Sequence, residues 1–194
     1  MARVTRESLM TLEAYAKARP EFRRKVLEHK RNRKVALGPH ITLLFEDELT
    51  VRYQIQEMLR IEKIFEEEGI EHELEAYNPL IPDGRNFKVT MLIEYEDVDT
   101  RRRELARLRN IEDRVWVQVA GSPKVYAIAD EDLERENDEK TSAVHFARFE
   151  LDEAMAAALK NGAALSVGVD HENYRASVEP LAPEVRDALV ADLS

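Results

Sequence analysis

The sequence predicts an α+β fold, a single domain of 194 residues with a mixed or largely antiparallel sheet. Three observations support this. Segments that alternate apolar and polar residues are interleaved with segments of helical periodicity. Two pairs of strand-like segments are joined by turns short enough for hairpins. A chain that is 44% hydrophobic can fill a core without cysteine, of which it has none. Hairpins set neighbouring strands antiparallel, which argues against a doubly wound parallel sheet.

Along the chain, residues 8–18 and 21–34 read as two helices parted near Pro20, a residue that suits the first turn of a helix better than its interior. Phe22, Val26 and Leu27 mark a narrow apolar side on the second. Residues 40–46 (HITLLFE) alternate as a strand, with Ile41, Leu43 and Phe45 on one face and His40, Thr42, Leu44 and Glu46 on the other. A long amphipathic helix follows over 48–68, its apolar positions Val51, Ile55, Met58, Leu59, Ile61, Ile64 and Phe65 recurring at helical spacing until Gly69. Residues 77–86, with Asn78-Pro79 and Pro82-Asp83-Gly84, form a loop pinned by Leu80 and Ile81. Strand alternation returns over 87–96, helix over 97–109 and strand over 114–120, from which Gly121 to Lys124 turn the chain into a hairpin strand at 125–129. A strand at 143–151, an Ala-rich helix at 152–161, a second hairpin (164–170 with 174–179) and a short helix at 183–193 complete the chain.

Charge divides the molecule into a basic helical N-terminal arm, residues 1–34, and an acidic α+β body, residues 35–194. The arm has eleven Lys/Arg against four Glu, a balance of +7, and the rest of the chain carries −17. An acidic body argues against nucleic acid as a partner, because phosphate binding needs clustered Lys and Arg. No run approaches the roughly 20 apolar residues of a membrane span, and residues 1–10 lack a signal-peptide apolar stretch. The expectation is a cytoplasmic protein with no membrane partner. Without cysteine, thiol catalysis, Cys-ligated metal and Cys-ligated iron–sulfur clusters are all excluded. Residues 130–140 hold seven acids and two bases, the pattern of a solvated segment.

The candidates for chemistry come from geometry. His40, Thr42, Leu44, Glu46 and Lys88, Thr90, Leu92, Glu94 share one order on alternate residues, so adjacent strands would bring acid, base and hydroxyl groups to one side. On a helical wheel Glu62 falls between Val51, Ile55, Met58 and Leu59, with Gln54 and Glu57 near Ile61 and Ile64; a carboxylate in a buried arc needs a partner, for which Arg85 and Arg148 are available. His145 shares a strand face with Ala147, Phe149 and Leu151, near the hydroxyls of Thr141 and Ser142. The acid–base candidates are therefore His40, Glu46, Lys88, Glu94 and His145. The metal candidates are His40, Glu62 and His145, and the anion-binding candidates are Arg52 and Arg85. Against each stands the ordinary alternative of cross-strand charge pairs, a satisfied core histidine or a tight turn. No zincin, P-loop, dinucleotide-binding or nucleophile-elbow motif is present.

The segments GPHITLLFEDELTVRYQIQEMLRIEKIFEEEGI, YNPLIPDGRNFKVTMLIEYED, RVWVQV, YAIADEDLERENDEKTSAVHFARFEL and ALSVGVDH together resemble an uncharacterised bacterial domain family of similar length. The resemblance carries no catalytic residues. It implies a peroxide or redox-stress setting, because genes of that family often lie near those of rubrerythrin and iron–sulfur oxidoreductases, and hence a redox protein as a partner. The expectation is a ligand-binding or accessory protein, the alternative a metal-assisted enzyme acting on a small anionic substrate. A structural homo-oligomer is a third reading, and no particular cofactor is singled out.

Overall fold

The computed structural model describes residues 3–137 and 139–194. In chain order they form α1 (Leu12–Lys30), β1 (Lys34–Leu37), β2 (Ile41–Phe45), α2 (Glu48–Glu62), α3 (Glu67–Tyr77), β3 (Asn86–Ile93), α4 (Val98–Arg107), β4 (Val115–Val119), β5 (Val125–Tyr126), β6 (Ile128–Ala129), β7 (Val144–Glu150), α5 (Glu153–Lys160), β8 (Leu165–His171), β9 (Tyr174–Val178) and α6 (Pro183–Val190). The fold is α+β with two antiparallel sheets, ordered β1-β2-β3-β7-β6 and β5-β4-β8-β9.

The inner faces of both sheets meet in one core. Period-two alternation puts Leu43 and Phe45 of β2, Phe87, Val89 and Met91 of β3 and Phe149 of β7 against Val115 and Val117 of β4 and Val167 and Val169 of β8. Phe45 and Phe87 cross edge to face with ring centroids 6.0 Å apart. The hairpin expected after Gly121 does form between β4 and β5, where Trp116 faces Tyr126. At Ala127 the chain changes sheet, and β6 pairs with β7 instead. The other ends of the sheets also meet: the Tyr174 hydroxyl at the start of β9 donates to Leu37 O and accepts from His40 N at 3.1 Å. Gly38, at φ +68°, turns β1 into β2 beneath that phenol, and a Cβ there would lie 2.7 Å from its oxygen.

Three helices cover the outer face of the larger sheet and carry a second apolar cluster, formed by Val51, Ile55 and Leu59 of α2 with Ile70 and Leu74 of α3 and with Val4, Leu9 and Ile81. Arg33, 2% exposed, ties this layer to the sheet: it donates to Phe45 O, Glu46 O and Ala188 O and is paired with Asp192. Burial pushes Asp192 up to about 6 in spite of that guanidinium.

The helices depart from the sequence reading in two places. α1 runs through Pro20 without a break. Pro20 supplies no N–H to the Ala16 carbonyl, but both residues are exposed, so water can take the hydrogen bond. The expected helix over 48–68 stops at Glu62, because Lys63 turns left-handed at φ 56°, and Gly69 lies inside α3. α2 buries Val51, Ile55 and Leu59 in the apolar cluster of the helices, and its support ends there. Glu62, set in the buried arc by the wheel, is exposed with Ile61 and Phe65 beyond that support.

Candidate functional site

β2 and β3 are neighbours in register, with Thr42 opposite Leu92 and Leu44 opposite Thr90. Their outward residues, joined by Val144 and Phe146 of β7, floor a cavity of about 540 Å³. α2 walls it with Thr50, Val51 and Gln54, α3 with Tyr77, and the single turn after α3 with Leu80. Lys30 at the end of α1 and Lys34 at the start of β1 complete the lining.

Polar groups on the floor are already organised. Glu46, 7% exposed, accepts from the Thr90 hydroxyl at 2.6 Å and from the Thr50 hydroxyl. Thr50 is held in turn by the capping box that starts α2, in which Asp47 accepts from its N–H at 2.9 Å. Two hydroxyl donors satisfy the Glu46 carboxylate, as a buried charge requires. Thr42 donates to Glu94 at 3.3 Å. The two lysines differ, since neither makes a salt bridge among the described residues. Burial lowers the Lys30 pKa, with Glu46 and Asp47 partly opposing the shift. The cavity thus offers an apolar middle, hydrogen-bonded acids on its floor and cationic ammonium groups at one end.

The sequence-derived residues therefore separate. Thr42, Leu44, Glu46, Thr90, Leu92 and Glu94 converge as the alternation implied. His40 sits beyond the rim, its Nδ1 2.9 Å from Glu94 O and its ring stacked on Tyr95 at 3.9 Å. Lys88 lines an adjoining groove and donates to Pro79 O at 2.6 Å. Arg52 is paired with Glu48 at 2.7 Å, and Arg85 is exposed on the turn before β3. Arg148, offered as a partner for an acid of α2, binds Glu131 and Glu150. The buried acid of α2 is Glu57, held by Arg19, Arg60 and Tyr15. Lys30 and Lys34 were legible only as part of a basic stretch, and Tyr77 carried no signal of its own.

His145 lies on the opposite face of β7, fully buried, in a second cluster. Its Nδ1 is 2.6 Å from Asp130 Oδ2, and its Nε2 is 2.9 Å from the Thr141 hydroxyl, 3.1 Å from Ser142 O and 3.9 Å from Glu112 Oε2. Asp130, at φ 52°, also accepts from Arg135 at 3.1 Å and from the Phe146 N–H at 3.2 Å. Burial raises the Glu112 pKa. Thr141 is the hydroxyl neighbour expected from the sequence; Asp130 showed only as the start of an acidic run, and Glu112 not at all.

A family model described as "Protein of unknown function (DUF3501)" matches residues 3–193. A crystal structure described as a novel protein of unknown function from Burkholderia pseudomallei K96243 is 57% identical and covers 100% of both chains, with a TM-score of 0.95. No curated protein matches the chain. Among the described residues, no helix is long and apolar enough to cross a membrane.

Proposed function

The chain belongs to the family described as protein of unknown function (DUF3501), and from the cavity we propose that it is a binding protein for a small carboxylate with an apolar body. One observation carries this reading: the outward faces of β2 and β3 floor a cavity of about 540 Å³ whose apolar middle leads to Lys30 and Lys34. That volume suits a small-molecule site, and a few placed polar groups among apolar ones are what orients such a ligand. Thr50 and Thr90 already engage both oxygens of Glu46, which leaves the lysines as the groups that attract an anion. The apolar body would rest on Leu44, Leu92 and Phe146.

Octanoate and phenylacetate are suitable probes, titrated into isotope-labelled protein while amide spectra are recorded. Shifts should map to Thr42, Leu92, Val144 and Phe146, and Lys30→Met should weaken binding about tenfold, the loss of one charge-assisted contact. Leu92→Trp, which fills the cavity from its floor, should abolish the shifts while the protein remains folded. Absence of shifts at millimolar probe, or shifts scattered over other surfaces, would overturn the reading.

A further inference from the structure

We infer that His145, Glu112 and Thr141, with the Ser142 carbonyl, form a site for a divalent first-row cation such as Mn²⁺, Fe²⁺ or Zn²⁺, and that Asp130 orients the imidazole. The site lies on the face of β7 away from the cavity, so it is independent of the ligand-binding proposal.

The argument starts from Asp130. An ionised carboxylate only accepts hydrogen bonds, so at 2.6 Å the proton between them belongs to His145 Nδ1. The other oxygen of Asp130 is fixed by Arg135 and by the Phe146 N–H. This is the carboxylate–histidine arrangement that sets the tautomer of a metal-binding imidazole. The Nε2 lone pair then has two oxygens near it, the Thr141 hydroxyl at 2.9 Å and Ser142 O at 3.1 Å. The hydroxyl can give its one proton to Nε2 or to Glu112 but not to both, and the carbonyl, an acceptor like Nε2, repels it unless a positive centre lies beside them.

A second proton on His145 would satisfy the carbonyl and set an imidazolium 3.9 Å from Glu112, beyond hydrogen-bond reach of that carboxylate. That side chain is only 10% exposed, and its hydrogen bond from the Thr141 hydroxyl is 3.5 Å long. A buried carboxylate so poorly paired is costly, and it is aimed at Nε2 from 3.9 Å. A divalent ion compensates both groups at once. Donors that share an ion at bond lengths of about 2.0–2.2 Å lie roughly 3.0–3.5 Å apart. Here the separations run from 2.9 Å (Nε2 to Thr141) through 3.5 Å (Thr141 to Glu112) to 3.9 Å (Nε2 to Glu112), so small side-chain adjustments close the shell. One imidazole with oxygen donors and no thiolate suits Mn²⁺, Fe²⁺ or Zn²⁺ and disfavours Cu⁺. The acidic segment that begins at Asp130 would draw cations toward the site.

The test is chelator-stripped full-length protein dialysed against Zn²⁺ or Mn²⁺, followed by elemental analysis, with the Mn²⁺ spin-resonance signal as a second readout. About one equivalent of at least one ion is expected, with affinity reduced about tenfold or more in Glu112→Gln and in Thr141→Val. Two variants guard against a folding defect in one, and circular dichroism checks both. Failure of the wild-type protein to take up either ion, or uptake unchanged in a folded variant, would overturn the inference. Nitrogen NMR showing both ring nitrogens of His145 protonated in the presence of either ion would do the same, since a proton would then occupy the metal's place.

Discussion

Glu57 shows how one side chain joins two helices. The Arg19 guanidinium, followed by Tyr15 and Arg60, holds its carboxyl down to about 2. A depressed acid stabilises the fold above its unfolded pKa and loses that contribution as pH falls through the folded value. Glu57→Gln should therefore cost about 2–3 kcal/mol at pH 7. The gap from wild type should narrow between about pH 4.5 and 2.5, as urea denaturation at a series of pH values would read. An equal gap at every pH would mean that packing, not charge, is what Glu57 provides. At this scale the sequence was partly legible. Alternation of period two was enough to put Glu46 on one face of its strand and Thr90 and Glu94 on one face of theirs, because strand geometry alone decides facing, and the pairing of β2 with β3 then met the condition that the two strands be neighbours. Lys30 and Glu112 escaped, since their positions depend on how separate elements pack, which no local pattern encodes.

The strands followed the sequence more closely than the helices did. β2, β3 and β8 each bury one face continuously, so their alternation is strong. The join between α2 and α3 was missed because Ile61, Ile64 and Phe65 prolong the apolar pattern past Lys63, where the backbone turns. β1 was not read as a strand: its first residue, Lys34, fell at the end of the expected helix and the other three were left unassigned, since so short a segment gives no decisive period. In β8, Gly168 lies beneath the ring of Trp116, and a Cβ there would collide with the indole. Gly168→Ala should cost about 1–3 kcal/mol and shift the emission of the single tryptophan, measured by denaturation followed by fluorescence. Unchanged stability and spectrum would show that the indole moves aside freely.

At the scale of the molecule the described residues form two apolar clusters, one between the sheets and one under α1 to α3. The smaller cluster supports the helices over the cavity, so that layer should open at lower free energy than the sheets. Hydrogen exchange should accordingly release the amides of α2 and α3 before those of β3, β4 and β8; the reverse order, or a single common rate, would contradict it. The redox setting rested on resemblance alone, and no cysteine is present to carry such chemistry. The passage from one sheet to the other at Ala127 has a further consequence. The edge strands are short: β5 and β6 pair two residues each on β4 and β7, and β1 and β9, four and five residues long, lie near one another without a strand pairing among the described residues. Exposed edges are where chains add to one another as fibrils grow, so concentrated solutions should resist that form of self-association even though the sheets are rich in valine and phenylalanine.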